Sequence, residues 1–203
     1  MISALLIDLD DTLYDERTYV LSGFSAVAQE LARRHPRLDA AALAAGMEAE
    51  LDTHGRGRIF DVVLQAAGLP ASPALIGELV GVYRDHRPAI SLWPGVADTL
   101  TALAKSYRLA IVTDGLALMQ SRKIEALGVA DLVDEVLLCW EHAAPKPDPA
   151  CYLEALRRMG AFPAQAVVIG DNPGHDMAAA AAVGCRSVRV RTGKFAALGD
   201  NGF

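Results

Sequence analysis

Five short apolar runs, separated by helical patterns, constrain the fold of this chain more than any other feature of its sequence. Apolar runs without polar interruption are typical of parallel strands that are buried on both faces of a sheet. The runs cover residues 4–9, 108–113, 135–139, 166–170 and 186–190. Strands that alternate with helices predict an α/β fold, in which an open and mostly parallel sheet of about five strands carries helices on both faces.

A long helical stretch interrupts this alternation between the first and second strands. About ninety residues separate the two runs, far more than a crossover connection needs. No strand pattern is convincing there, whereas apolar residues recur at helical spacing at Val20, Phe24, Val27 and Leu31. We therefore predict a helical insertion over 15–91 and a core built from 1–14 and 92–203.

The charge balance excludes two classes of partner. The 203 residues include 25 acidic and 19 basic side chains, a formal net charge of −6. Such a chain has no summed positive field to attract phosphate backbones or anionic lipid, so we expect no nucleic acid and no membrane as partners. A hydrophobic content of 52% is too high for a disordered chain and suits one folded domain with a small insertion.

Cysteine usage and the N-terminal run bear on the compartment. Cys139, Cys151 and Cys185 show no CxxC spacing, and an odd count without a secretory leader is typical of a reducing cytoplasm. The N-terminal apolar run is far shorter than the ~20 residues that cross a bilayer, which favours a buried strand. We predict a cytoplasmic protein, either a monomer or a homodimer whose helical insertions pair.

Polar side chains follow four of the predicted strands at the point where each strand ends. In an open parallel sheet these ends share one edge, where ligands bind. The side chains that we expect to converge there are Asp8, Asp10, Thr113, Asp114, Lys146, Asp171 and Asp176. Clustered carboxylates repel each other unless a cation joins them, and oxygen ligands suit Mg²⁺. A carboxylate can also attack phosphorus, while a lysine and a hydroxyl offset the charge of phosphoryl oxygens.

The order of these residues resembles the four sequence motifs of the haloacid dehalogenase (HAD) superfamily. The matching segments are Asp8-Leu9-Asp10-Asp11-Thr12-Leu13, then Thr113, then Lys146-Pro147, and last Gly170-Asp171 with Asp176. They span nearly the whole chain, and the helical insertion lies where that family places its α-helical cap. The resemblance implies a Rossmann-like core, a hydrolase acting on phosphoric monoesters, and Mg²⁺ as the cofactor.

The resemblance also implies a role for each matching residue. Asp8 would be the nucleophile that becomes phosphorylated, and Asp10 would be the general acid and base, with its backbone carbonyl on Mg²⁺. Thr113 would hydrogen-bond the phosphoryl oxygens, and Lys146 would offset the charge of the phosphate and of Asp8. The implied metal site consists of Asp8, Asp10, Asp171 and Asp176, the last directly or through water.

Two positions depart from the family's frequent pattern, and four are candidates for substrate selection. Asp114 replaces an asparagine, although its backbone N–H could still bind phosphate. His175 replaces another asparagine and could supply a pH-sensitive contact or simply lie in a polar loop. Tyr14 could line the entrance. Arg56 and Arg58 could bind a second anionic group of the substrate or lie in a solvated loop.

The leading prediction is a Mg²⁺-dependent phosphatase of a small phosphorylated metabolite, such as a sugar phosphate or a nucleotide, that forms an aspartyl-phosphate. A phosphosugar mutase stays open, because only the final phosphoryl acceptor differs. A dehalogenase is disfavoured, since the resemblance implies a non-acidic residue in place of Asp10 in that branch. From other classes, a signalling receiver domain has another motif order and no insertion, and a non-catalytic phospho-acceptor or interaction protein is the remaining alternative.

Overall fold

The computed structural model describes residues 1–142 and 144–199, and these residues form five strands and nine α-helices. The strands are β1 (Ala4–Ile7), β2 (Arg108–Thr113), β3 (Glu135–Leu138), β4 (Ala166–Gly170) and β5 (Arg186–Arg189). The helices are α1 (Glu16–Arg34), α2 (Ala40–His54), α3 (Ile59–Ala66), α4 (Pro73–Asp85), α5 (Val96–Leu103), α6 (Ala117–Leu127), α7 (Cys139–His142), α8 (Ala150–Met159) and α9 (Ala178–Val183). All five predicted strands are therefore present.

The five strands form one parallel sheet in the order β3-β2-β1-β4-β5. Ile7 of β1 is aligned with Ile111 of β2 on one side and with Ile169 of β4 on the other. The chain passes from β1 to β2 on one side of β1 and later continues in β4 on its other side. The strand order therefore reverses beside β1, and open α/β sheets bind ligands at the carboxyl ends of the strands next to such a reversal. The predicted fold class is confirmed.

Alternate side chains of the central strands pack against helices on opposite faces of the sheet. The edge strand β5 is largely exposed instead, contrary to the expectation of a strand buried on both faces, because it contains three polar residues. On one face, Leu6 and Val168 are buried in a cluster with Leu156 of α8. On the other face, Ile7 lies near Leu100 of α5, and both are at most 2% exposed. Complete burial of one such side chain contributes about 1.5–3 kcal/mol to stability, so these two layers hold the strand ends rigidly in register.

The chain divides into two compact units. One comprises Met1–Glu16 with the chain from Ile90 onwards, and the other comprises Arg17–Ala89. The first unit contains the sheet, and the second contains α2, α3, α4 and most of α1. This division lies within two residues of the predicted boundaries, whereas the role of the second unit as a cap stays a prediction.

The helices of the second unit begin at residues that suit helix N-termini. Asp39 accepts a hydrogen bond from the N–H of Ala41 at the start of α2, and Ser72 accepts one from the N–H of Leu75 at the start of α4. Inside the unit, the rings of Phe24, Phe60 and Tyr83 contact one another. Among the described residues, no helix combines the length and the apolarity that a membrane span requires.

Candidate active site

A cavity of about 230 Å³ opens at the carboxyl ends of the strands in the first unit. Its lining includes side chains that follow four different strands. The predicted residues among them are Asp8, Asp10, Thr113, Asp114, Lys146, Asp171, His175 and Asp176. The parallel sheet therefore brings together groups that are far apart in the sequence.

The turn after β1 delivers two carboxylates to this cavity. Asp8 continues the strand, and its backbone N–H donates to the carbonyl of Ile169 at 2.9 Å. Asp11 takes a left-handed backbone conformation with φ of 58°, and its carboxylate accepts from the N–H of Glu16 at 3.0 Å. Gly193 approaches this turn so closely that a Cβ there would overlap the carboxylate of Asp11. These contacts fix the turn that carries Asp8 and Asp10.

Lys146 is the positive centre of a buried ion network. Its side chain is 2% exposed, and its Nζ lies 2.6 Å from Asp8 Oδ1 and 2.8 Å from Asp176 Oδ1. The Tyr152 hydroxyl donates to the same oxygen of Asp176 at 3.0 Å. Burial would lower the pKa of Lys146, but the carboxylates of Asp176 and Asp8 raise it well above its usual range. The lysine therefore stays charged between the two acids.

Three buried carboxylates form a cluster of oxygen donors. Asp8, Asp171 and Asp176 each offer an oxygen within 4.8 Å of the other two. Burial raises the pKa of Asp8 well above its usual range, and Asp176 adds to the rise while Lys146 opposes it. Burial and Asp176 likewise raise the pKa of Asp171 to about 7. One buried oxygen of Asp171 accepts no hydrogen bond within the described structure. Such a set of oxygen ligands, one of which has no hydrogen-bond partner, fits a hard divalent cation.

Asp176 reaches this cluster because Gly170 leaves room for it. An added Cβ at Gly170 would lie 2.4 Å from Asp176 Oδ2, which is far inside van der Waals contact. The N–H of Asn172 donates to the same oxygen at 3.2 Å. The end of β4 thus orients Asp176 through a close approach that only glycine permits.

Asp10 is held by three donors, of which Tyr14 was predicted at the entrance, whereas Lys123 and Gln120 were not predicted for the site. Lys123 Nζ lies 2.8 Å from both carboxylate oxygens, and Gln120 Nε2 lies 3.0 Å from Oδ2. The Tyr14 hydroxyl donates to Oδ1. Burial alone would raise the pKa of Asp10, but Lys123 and the hydrogen bonds from Tyr14 and Gln120 lower it below its usual range. Asp10 is therefore a carboxylate in the free protein.

Thr113 and Asp114 lie at the end of β2 with different surroundings. Thr113 is 1% exposed, and its hydroxyl accepts from Gln120 Nε2 at 2.5 Å. The Asp114 carboxylate accepts from the backbone N–H of Lys146 at 3.0 Å. Asp114, which departs from the family's frequent pattern, thus fixes the loop that carries Lys146. His175, the other departure, is exposed at the cavity.

The structure places the other specificity candidates elsewhere. Tyr14 is fully buried beneath Asp10 and does not line the cavity, contrary to the expectation of a place at the entrance. Its aromatic ring belongs to the core because the turn after β1 folds it inward. Arg56 and Arg58 are exposed in the second unit, and Arg56 borders a separate cavity of about 220 Å³ there with Phe24 and Tyr83. Their role in selecting substrate stays a prediction.

The sequence contained one usable signal for the missed residues. In α6 the buried positions are Gln120, Lys123, Ile124 and Leu127, which is the spacing of one helix face. A lysine within an otherwise inward-facing stripe is rarely buried without a partner. That pattern, two turns after Thr113, indicates a paired charge near the strand ends.

Comparisons with known proteins support the family resemblance. The haloacid dehalogenase-like hydrolase family matches residues 2–184 of the chain. Glyceraldehyde 3-phosphate phosphatase of Methanopyrus kandleri is 33% identical over a region that covers 96% of this chain and 86% of that protein. The resemblance predicted from the motifs is confirmed, and so is the expected enzyme class.

Solved structures share the fold. A 2-haloacid dehalogenase from Pseudomonas syringae superposes with a TM-score of 0.65 and 31% identity, covering 94% of this chain and 87% of that chain. The HAD-hydrolase YfnB of Bacillus subtilis, bound to magnesium, superposes with a TM-score of 0.65 over the same shares of the chains. At 18% identity, the latter match shows the fold alone.

Proposed function

Because this chain belongs to the haloacid dehalogenase-like hydrolase family, we propose that it is a Mg²⁺-dependent phosphatase that hydrolyses a small phosphorylated metabolite through an aspartyl-phosphate. The observation that carries the proposal is the buried network in which Lys146 joins Asp8 to Asp176, with Asp171 alongside. It unites a nucleophile, a charge-offsetting lysine and cation ligands at one cavity. The phosphatase relative that covers almost the whole chain supports this assignment.

The three clustered carboxylates would hold Mg²⁺. Asp8, Asp171 and Asp176 supply oxygen ligands, which Mg²⁺ prefers, and a cation would satisfy the free oxygen of Asp171. Asp10 would contribute its backbone carbonyl, since its carboxylate is engaged by Lys123. When bound, Mg²⁺ would neutralise negative charge on the phosphoryl oxygens and on the nucleophile.

In the first step, Asp8 attacks phosphorus in line with the leaving alcohol, so that an O–P bond forms on Asp8 as the ester O–P bond breaks. Thr113 and Lys146 bind the phosphoryl oxygens and offset their charge. Asp10 donates a proton to the leaving oxygen. A bound phosphoryl dianion adds negative charge beside Asp10, which favours uptake of a proton from solvent by this carboxylate before the step.

In the second step, Asp10 takes a proton from water while the water oxygen attacks phosphorus. The Asp8–phosphate bond breaks, inorganic phosphate forms, and Asp10 again carries the proton that it gave to the alcohol. The carboxylate form of Asp10 in the free protein suits this basic role. Each residue thus acts from the position that the strand ends give it.

Small sugar phosphates are the first substrates to test, because the phosphatase of Methanopyrus kandleri is named for glyceraldehyde 3-phosphate. The experiment is a screen of phosphorylated metabolites with Mg²⁺, in which the parent and Asp8→Asn are compared for phosphate release. We expect release by the parent only. A parent that releases no phosphate from any member of the screen contradicts the proposal, and isomerised phosphosugar in place of free phosphate would indicate a mutase.

A dehalogenase is the second candidate, because a 2-haloacid dehalogenase is 31% identical to this chain. The acidic Asp10 argues against it, since displacement of a halide from carbon leaves no alkoxide that needs a proton. Incubation with 2-chloropropionate, followed by measurement of chloride, separates the two reactions. We expect no chloride above the Asp8→Asn background, whereas turnover of the haloacid by the parent would favour the dehalogenase.

Binding of Mg²⁺ is expected to release protons near neutral pH. The pKa of Asp171 is raised to about 7 and that of Asp8 is raised further, so both carboxyls are partly protonated there and must lose protons to bind a cation. We expect the apparent affinity to rise about tenfold or more between about pH 6 and pH 8. Calorimetry in two buffers of different ionisation enthalpy measures the released protons. Asp171→Asn is the matched variant with less release, and an affinity that is flat with pH contradicts this expectation.

Arginines of the second unit are expected to favour doubly anionic substrates. If Arg56 or Arg58 binds a second anionic group, each Arg→Ala change should raise KM for a bisphosphate about tenfold and leave KM for a monophosphate unchanged. Steady-state kinetics on the two substrates measure this ratio. Arg37→Ala removes an exposed arginine of the same unit and serves as the control. Equal ratios in all three variants and the parent would remove both arginines from substrate selection.

A further inference from the structure

Lys123 is a buried cation that no step of the proposed reaction uses. Its side chain is 5% exposed, and its Nζ lies 2.8 Å from each carboxylate oxygen of Asp10. It is not among the residues that line the cavity, whereas Asp10 is. Burial of an ammonium group costs free energy unless the group is paired. The pairing with Asp10 therefore accounts for a lysine on the inner face of α6.

Gln120 extends this contact to the end of β2. It lies one helical turn before Lys123, and its Nε2 is 3.0 Å from Asp10 Oδ2 and 2.5 Å from Thr113 Oγ1. Tyr14 donates to Asp10 Oδ1 from within the turn after β1. Oδ1 therefore has donors from two different elements and Oδ2 has two donors from α6, so rotation of the Asp10 side chain would break several hydrogen bonds at once.

We propose that Lys123, assisted by Gln120, is the positioning residue that aims Asp10 at the leaving-group oxygen and at the attacking water. The inference rests on the proposed phosphatase function and names residues that act through Asp10 rather than on the substrate. Displacement of a catalytic group by about 1 Å can lower the reaction rate about 10²-fold. The loss should appear only in steps where a proton moves to or from Asp10.

Two substrates separate these steps. An alkyl phosphate such as glycerol 3-phosphate needs a proton on its leaving oxygen, whereas p-nitrophenolate leaves without one. For both substrates, kcat/KM reports the steps up to and including the departure of the leaving group. Hydrolysis of the aspartyl-phosphate, with Asp10 as the base, follows after those steps. Misplacement of Asp10 should therefore lower kcat/KM for the alkyl ester alone, and should slow the second step for both.

The test replaces Lys123 with Met, which is unbranched and one atom shorter and removes the charge. We expect kcat/KM for the alkyl phosphate to fall about 10²-fold, and kcat/KM for p-nitrophenyl phosphate to fall by less than about threefold. Rapid mixing with p-nitrophenyl phosphate should show a burst of p-nitrophenol, because phosphorylated Asp8 accumulates before slow hydrolysis. Lys123→Arg should restore part of the alkyl activity and reduce the burst.

Controls separate positioning from general damage. Lys105→Met changes an exposed lysine of the same unit and should match the parent, and Gln120→Leu should show the same pattern with smaller losses even if Lys123→Met does not fold. Mg²⁺ affinity by calorimetry should stay close to that of the parent in these variants, because their side chains lie outside the carboxylate cluster. Equal losses on both substrates, or no burst, would overturn the positioning role while the phosphatase function stands. A parent without phosphatase activity would overturn both.

Discussion

Asp8→Asn is expected to lower phosphate release by about 10⁴-fold or more, because the amide has no carboxylate oxygen to attack phosphorus. The change is nearly isosteric, and the amide oxygen can still accept a hydrogen bond from Lys146 or from Thr12, which now donate to the carboxylate. Steady-state kinetics with Mg²⁺ and the best substrate of the parent measure the effect. Acid-quenched protein should also carry phosphate in the parent and none in the variant.

The stability of Asp8→Asn separates a chemical loss from unfolding. Asp8 has a raised pKa in the folded protein, so it costs stability that grows as pH rises above its unfolded pKa and reaches its full value above its folded pKa. Asparagine removes that cost. We therefore expect the variant, measured in EDTA at about pH 8, to melt no lower than the parent. Retained Mg²⁺-dependent turnover in a folded Asp8→Asn protein would remove Asp8 as the nucleophile.

Lys146→Met is expected to reduce the free energy of unfolding by about 3–5 kcal/mol in EDTA, because it leaves the buried Asp8 and Asp176 without their shared cation. The pKa of Asp8, which Lys146 lowers, should rise further in the variant, so protonation relieves the repulsion at low pH. The difference from the parent should therefore grow as pH increases. Mg²⁺ should restore part of the loss, since a cation among the same carboxylates offsets the same charges. Denaturant unfolding with and without Mg²⁺ measures the loss of stability and the part of it that Mg²⁺ restores.

Lys194→Met is the matched control for that change. Lys194 also forms a short ion pair, with Nζ 2.6 Å from Glu16, but its side chain is 54% exposed. An exposed pair contributes about 1 kcal/mol or less, so this variant should unfold close to the parent. A loss in Lys146→Met no larger than that in Lys194→Met would mean that the network around Lys146 does not stabilise the folded protein.

The fold could be predicted from the sequence because its signals are local. A strand buried on both faces must be apolar along its whole length, so β1 and β4 appear as uninterrupted runs, and Gly128 and Gly160 mark helix ends. The convergence of Asp8, Thr113 and Asp171 followed from the geometry of parallel sheets, whose carboxyl ends share one edge. The same geometry could not predict which residues of a helix face that edge.

The placement of Asp8, Thr113 and Asp171 was therefore determined by the sequence itself, because each of them ends or directly follows a strand. The surroundings of Asp10 were decided only by tertiary structure. The pairing with Lys123 depends on how α6 packs against the sheet, and the inward position of Tyr14 depends on the turn that Asp11 and Gly193 stabilise. Such contacts join residues more than a hundred positions apart in sequence, and no local pattern encodes the distance between them. The proposed catalytic groups could thus be identified from residue order, whereas the orientation of Asp10, the proposed general acid and base, depends on tertiary packing.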